Sequence, residues 1–293
     1  MRVFVTGATG FIGNLVCKEL IAAGHKVLGM ARSDDGARLL GSLGAEVHRG
    51  ELQDIESLKS GAAATDAVIH TAFIHDFSKF QENCEIDRRA IEAIGAVLAG
   101  TSRPFIVTGG TGGLAAKGDL ATEEDSPAPD LPLPRVSEQT ALALLDKGVS
   151  TAVMRLPQVH DPLKQGLVTY AIAVAREKGV SAYIGEGSNR WPAAHVTDVA
   201  KLYRLALEKH EAGARWHAVA EEGVSMREIA ESLGRGLNLP VKSLRPEEAP
   251  AHFGWLSMFA NRGNASSSLI TRRKLGWNPV GPTMLEDLDK AEY

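Results

Sequence analysis

The chain has 293 residues, of which 44% are hydrophobic and 23% charged, and its formal net charge is −4 at pH 7. That length suits one large core or two modest ones, and the composition is ordinary for a soluble globular protein. The acidic balance, without any Lys/Arg block, excludes a basic nucleic-acid face, and no apolar run approaches the ~20 residues of a membrane span. Only Cys17 and Cys84 are present, so no disulfide framework is expected. An apolar strand starts at residue 2, so no leader segment is expected, and the setting that fits is reducing and cytoplasmic.

Taken in chain order, residues 3–5 are apolar and lead directly into glycines at 7, 10 and 13, after which a helical apolar pattern begins. The spacing predicts a strand, a tight turn and a helix start. Gly7 lets the chain turn, Gly10 lets backbone N–H groups approach a pyrophosphate, and Gly13 lets the helix pack close. Phosphates fit there because helix N-termini carry unpaired N–H groups and positive dipole ends. Strands are predicted at Arg2–Thr6, Lys26–Met30, Ala45–His48, Ala67–His70, Pro104–Thr108 and Thr151–Leu156. Helices centre on Leu15–Ala22, Ala37–Leu43, Ile55–Ala62, Ile86–Leu98 and Thr140–Leu145, with Gly24, Gly44, Gly100 and Gly148 just past helix ends. Continuous apolar strands alternating with helices imply a doubly wound parallel α/β sheet.

Asp119–Pro134 interrupts this rhythm with acidic residues and with Pro127, Pro129, Pro132 and Pro134; it reads as a solvated loop or as a substrate lid. A helix follows around Leu167–Arg176 and a strand near Ala182–Ile184, and Ser225 with Glu228 reads as a capping box. The tail, with Trp255 and Trp277, reads as helical. The expected division is a nucleotide-binding domain over 1–156, rejoined by 193–222, and a substrate region from 157–192 and 223–293.

Several stretches together resemble the short-chain dehydrogenase/reductase superfamily in its extended or atypical epimerase/dehydratase-like branch. They are Thr6–Gly13, Gly50–Asp54, Val68–Ala72, Met154–His160, Ala194–Ala200 and Lys274–Pro279. The resemblance implies a Rossmann fold with a nicotinamide cofactor at the strand C-termini and a mostly helical C-terminal substrate region. In the first stretch it implies that Thr6, Gly7, Thr9, Gly10, Phe11, Ile12 and Gly13 cradle the cofactor. Glu51 and Leu52 would sit at the adenine, Thr71 and Ala72 under the ribose, and Pro157 beside the cofactor. Family members also often dimerise through the helices flanking the fifth strand.

An NAD site usually places an acidic residue at the end of the second strand. Here that position is Ala31, followed by Arg32 and Ser33. A guanidinium beside a hydroxyl suits a 2′-phosphate, so NADP(H) is expected, unless Arg32 is only a solvated charge.

The family's proton chemistry uses Tyr-x-x-x-Lys. The matching segment offers Arg135 with Gln139, or in the other register Pro134 with Glu138, and no tyrosine of the chain has a lysine four residues on. His160 is the first substitute proton donor, or else a histidine supporting its loop. Thr108 and Thr111 could polarise a carbonyl, or cap a glycine turn. His75 with Asp76 is a weaker candidate pair. Arg155 is expected to neutralise a carboxylate, His195 to be packed or hydrogen-bonded, and Asp198 to start a helix. Trp191 is either core or pocket lining, and no metal motif is present. The expected activity is NADP(H)-dependent reduction of a small carbonyl compound. The alternatives are a non-catalytic NADP(H) redox sensor and, behind it, nucleotide-sugar epimerase or dehydratase chemistry.

Overall fold

Buried apolar strands that alternate with helices leave a chain little choice but to stack the strands in parallel and cover both faces. The computed structural model follows that rule and describes residues 1–114, 118–128 and 134–293. Pro129 and Pro132 of the expected loop lie outside the described residues. The first half runs β1 (Arg2–Thr6), α1 (Phe11–Ala22), β2 (Lys26–Ala31), α2 (Asp34–Ser42), β3 (Glu46–Arg49), α3 (Ile55–Ala63) and β4 (Ala67–His70). It continues with α4 (Phe80–Leu98), β5 (Thr101–Gly110), α5 (Ser137–Ala143) and β6 (Val149–Leu156).

Beyond β6 come β7 (Gln158–Asp161), β8 (Lys164–Gln165), α6 (Val168–Lys178), β9 (Ser181–Ile184), β10 (Arg190–His195), α7 (Val196–Glu208) and β11 (Arg215–His217). Then follow β12 (Glu221–Ser225), α8 (Met226–Leu237), β13 (Val241–Leu244), α9 (Ala249–Phe253), α10 (Ser257–Ala260), α11 (Leu269–Leu275) and α12 (Met284–Lys290). Ser225 and Glu228 form the expected capping box at the start of α8.

The main sheet has the order β11-β6-β5-β4-β1-β2-β3, and all its pairings are parallel. Chain direction through the sheet reverses between β1 and β4, which makes that crevice the topological switch point where open α/β sheets take ligands. Side chains alternate between the two faces. Val3, Val5, Ile69, Ile106 and Met154 join one buried cluster with α1 and α7 residues. Phe4, Val68, Phe105, Val107 and Val153 join the other with α3, α4 and α5.

Two small sheets, β12-β10-β7-β8 and β13-β9, stand beside the helices of the second half. The sequence signalled only the strand at 182–184 among these, because two- to six-residue strands leave no period to read. A third core gathers Trp191, Ile229, Phe253 and Leu288. Trp191 therefore belongs to the core, and its indole Nε1 donates to the Arg262 carbonyl at 3.0 Å. Among the described residues no helix is long and apolar enough to cross a membrane.

Gly61 shows how tightly β1 and α3 fit. A Cβ there would lie 2.4 Å from the ring of Phe4, and Phe4 is wholly buried in the sheet. Gly61→Ala should therefore cost about 1–3 kcal/mol by overpacking, read as a lower urea midpoint at unchanged m. An unchanged midpoint would mean that α3 slides freely over β1.

Candidate active site

The turn between β1 and α1 is a contact of backbone with backbone. Gly7 has φ +67, and a Cβ there would lie 2.7 Å from Ala72 N, while one at Gly13 would lie 2.1 Å from the Gly7 carbonyl oxygen. Both positions exclude every side chain. The Gly10 N–H donates to Gly7 O at 2.9 Å, and Gly10 caps α1 without a side-chain oxygen. The first turn of the helix thus presents its N–H groups uncapped by any side chain, with Phe11 and Ile12 half-buried beside it. Thr71 Oγ1 donates to Thr6 O at 2.7 Å, which fixes the Thr71–Ala72 turn against the glycines. Thr6, Gly7, Gly10, Gly13, Thr71 and Ala72 are brought together, and the cradle fits a pyrophosphate.

The end of β2 lies alongside. Ser33 caps α2 by accepting from Gly36 N at 3.1 Å, and a Cβ on Gly36 would lie 3.0 Å from Thr9 Cγ2. Arg32 is exposed there. Asp34 and Asp35, the nearest carboxylates in sequence, are held by Arg49 and Arg38. Leu52 is buried in the core beneath this end of the sheet, and Glu51 is exposed beside it. Pro157 is half-buried between β6 and β7.

A buried polar chain runs from the cradle into the crevice. Thr6 Oγ1 is hydrogen-bonded to His70 Nδ1 at 2.8 Å, and His70 Nε2 to Asp87 Oδ1 at 3.1 Å. Ser137 Oγ donates to Asp87 Oδ2 at 2.5 Å and accepts from Arg135 Nε at 2.9 Å. Burial would raise the Asp87 pKa, but the His70 hydrogen bond and charge, then Arg135 and Ser137, hold it below the ordinary carboxylate value. Arg135 Nη2 donates to Thr108 O at 3.1 Å, and its guanidinium lies 4.2 Å from the centroid of the Phe73 ring. The sequence offered Arg135 only as a residue standing in a lost tyrosine's place. Its stacking partner is 62 positions away, so nothing local pointed to it.

The expected donors fare differently. Thr108 Oγ1 donates to His70 O at 2.6 Å and meets Tyr203 Oη at 2.6 Å. Its hydroxyl is therefore spent inside the core. Burial also raises the Tyr203 phenol further above its usual value, which suits a neutral structural donor. His160 is 0% exposed. It lies on β7, where its Nδ1 donates to Asp287 Oδ2 of α12 at 2.7 Å, and its Nε2 has no hydrogen-bond partner among the described residues. Burial depresses its pKa against the pull of Asp287. Buried under α12 and tied to Asp287, His160 is placed as a supporting histidine, the alternative to the expected proton donor.

Thr111 is 1% exposed, yet it lines a cleft of about 340 Å³ with Asp119, Ala121, Asn189, Arg190 and Asn264. Its Oγ1 donates to Leu156 O at 3.4 Å and accepts from Asn264 Nδ2 at 3.2 Å. Asp76 caps the following turn through Ser78 N rather than orienting His75, whose ring packs edge-on against Phe73. His195 caps α7 by accepting from Thr197 N. Asp198 lies in that helix's first turn and accepts from the Val280 and Gly281 N–H groups. Among the described residues no group of three or more His, Cys, Asp or Glu side chains is placed to hold a metal.

Arg155 does neutralise a carboxylate. Its Nε and Nη2 donate to the two oxygens of Glu138 at 2.7 and 2.5 Å, and Nη2 also donates to Asp125 O at 2.7 Å. The described part of the 119–134 segment is therefore stitched down, with Ala121 N donating to Ala265 O. It is neither a solvated loop nor a free lid. His217 Nε2 accepts from Arg155 Nη1 at 3.0 Å, while Nδ1 donates to Ser267 O at 2.7 Å. Burial, then the Arg155 charge, push the His217 pKa down to about 4. The folded state thus refuses a proton that the unfolded chain accepts, and this contribution is complete above pH ~6.5 and lost as pH falls towards 4. Between pH 6.5 and 5 the loss is about 2 kcal/mol. Urea unfolding at pH 7 and pH 5 should show His217→Gln flattening the fall by roughly that amount; an unchanged slope would contradict it.

With this geometry in view, the chain can be placed among known proteins. It is 49% identical, over the whole of both chains, to an uncharacterized protein of Schizosaccharomyces pombe. It is 29% identical to the 2-alkyl-3-oxoalkanoate reductase of Stenotrophomonas maltophilia, over 82% of this chain and 77% of that one. The UDP-glucose 4-epimerase of Thermus thermophilus, solved in complex with NAD, superposes with TM-score 0.75 at 20% identity over 99% of this chain and 97% of that one, a likeness of fold. The model of the NAD dependent epimerase/dehydratase family matches residues 3–219. The chain belongs to that family, built on its NAD(P)-binding Rossmann fold.

Proposed function

We propose that this protein is an NADP(H)-dependent oxidoreductase that reduces a small carbonyl compound. The observation that carries the reading is the bare first turn of α1, packed so closely on Gly7 that a Cβ at Gly13 would sit 2.1 Å from its carbonyl oxygen. Such a cradle suits a dinucleotide pyrophosphate. Preference for the 2′-phosphate rests on Arg32, exposed at the end of β2 with the neighbouring Asp34 and Asp35 already engaged by Arg49 and Arg38. The S. maltophilia relative, named as a reductase of a 2-alkyl-3-oxoalkanoate, supports a carbonyl substrate.

When bound, the reduced nicotinamide supplies a hydride. The chain must then hold the carbonyl oxygen and stabilise the charge that develops on it. Thr111 is the expected hydroxyl that lines the cleft, held by Asn264, and we assign it the hydrogen bond to that oxygen, for which its hydroxyl turns away from its long 3.4 Å contact to Leu156 O. The proton reaches the oxygen through Thr111 Oγ1 or from solvent in the cleft. Thr111→Val should lower kcat by about 10²-fold and leave the NADPH dissociation constant unchanged; full activity in that variant removes Thr111 from the mechanism.

Fluorescence titration should find NADPH bound at least tenfold more tightly than NADH, and Arg32→Ala should abolish the difference; a preference that survives the substitution overturns the assignment. One observation favours a second reading, a non-catalytic redox sensor: all three expected donors, His160, Thr108 and Thr111, are buried. Tight NADPH binding without oxidation across aldehydes, ketones, imines and quinones would support it.

A further inference from the structure

Among the described residues, Arg135 is a cation that the fold positions without a carboxylate in direct contact. One edge of its guanidinium is spent on Ser137 Oγ and Thr108 O, and its plane lies against Phe73. A guanidinium has five N–H donors in a rigid fork, so the Nη1 edge remains. Among the described residues no carboxylate lies within ion-pair distance of it, and Asp87 is reached only through Ser137. Some part-buried arginines of this chain are paired with carboxylates, Arg88 with Glu85 and Glu92, Arg204 with Glu19 and Glu208. Others spend their donors on carbonyls, Arg103 on Ala62, Thr65 and Val97 and Arg272 on Val219 and Ala220. On Arg135, among the described residues, only Nε and Nη2 are engaged.

The position matters as much as the open edge. Thr108 is near the carboxyl end of β5, and Phe73 follows the Thr71–Ala72 turn that is fastened to Thr6. Arg135 therefore stands beside the switch-point crevice, over the loop that leaves β4. Its surroundings reinforce the positive field. Lys164 lies over the Phe11 ring at the start of α1, and desolvation, then the charges of Arg135 and Lys164, hold His75 below the ordinary histidine range. A half-buried guanidinium that is flat, pinned on one edge and open on the other is preorganised for the two oxygens of a planar anion.

We infer that the substrate is an oxo acid, and that the free edge of Arg135 binds its carboxylate and so selects it over neutral carbonyl compounds. The carbonyl half of this statement rests on the reductase reading above; the carboxylate half rests on Arg135. A phosphate is the less favoured anion, because a single planar fork is presented and no second guanidinium touches Arg135 among the described residues.

The test uses the whole protein saturated with NADP⁺, which cannot reduce a ketone, and calorimetric titration with pyruvate, acetoacetate and their amides. At least one acid should bind tenfold or more tightly than its amide. That preference should vanish in Arg135→Leu and weaken in Arg135→Lys, with NADP⁺ affinity retained as the sign of an intact fold. If Arg135→Leu fails to bind NADP⁺, the wild type and Arg135→Lys decide. Equal binding of acids and amides, no binding of either acid, or a preference that survives in Arg135→Leu would each overturn the inference. NADPH oxidation separates the two claims. Carboxylate-selective binding without oxidation overturns the reductase reading and leaves the anion site standing; neutral ketones reduced as well as the acids do the reverse.

Discussion

A buried guanidinium sets the terms for one whole side of this molecule. Arg155 is 0% exposed at the end of β6, and a buried charge without partners costs several kcal/mol. Everything around it accordingly accepts: both oxygens of Glu138, the Asp125 carbonyl and a neutral His217. Three separate segments, the start of α5, residues 118–128 and β11, are located by that one requirement. At Glu138 on α5 a cation would face Arg155 inside the protein, whereas a carboxylate closes an ion pair, so the position serves the fold.

The opposite side of the crevice is organised by hydrogen bonds more than by net charge. Thr6, His70, Asp87, Ser137 and Arg135 form one continuous chain. It joins the strand that feeds the glycine turn to the cation beside the β4–β5 ends. Such chains rigidify their members, because breaking any link strands a buried polar group. The cradle and the crevice are thus held in one frame.

How much of this could be read from the amino-acid order follows the range of the forces. β1 and β4 begin and end where the sequence predicts, around their apolar runs, and Gly24 and Gly148 take φ of +84 and +69 as helix-closing residues; both signals lie within a few residues. β5 extends to Thr101 because β6 starts two residues earlier than expected and pairs there. The failures are long-range. His160 looks available in sequence because Asp287, which claims it, is 127 residues away. Thr108 is claimed by Tyr203 from a helix 95 residues on. Arg135 was visible only as a residue at a tyrosine's expected place, since a cation's worth depends on partners as distant as Phe73.

The stitching of residues 118–128 bears on how the chain reaches this state. Glu123 Oε1 accepts from both the backbone and the hydroxyl of Thr271, 148 residues later, at 2.7 Å. The connection between β5 and β6 is therefore sealed by α11, which is synthesised well after both strands. Until that segment arrives, Arg155 and Glu138 have an unfinished roof, and the nucleotide-binding half is left with polar groups that nothing yet covers. Contacts of such separation slow folding, so an open, aggregation-exposed intermediate is expected during synthesis, and a ligand that braces β1, β4 and α1 early would shorten its life.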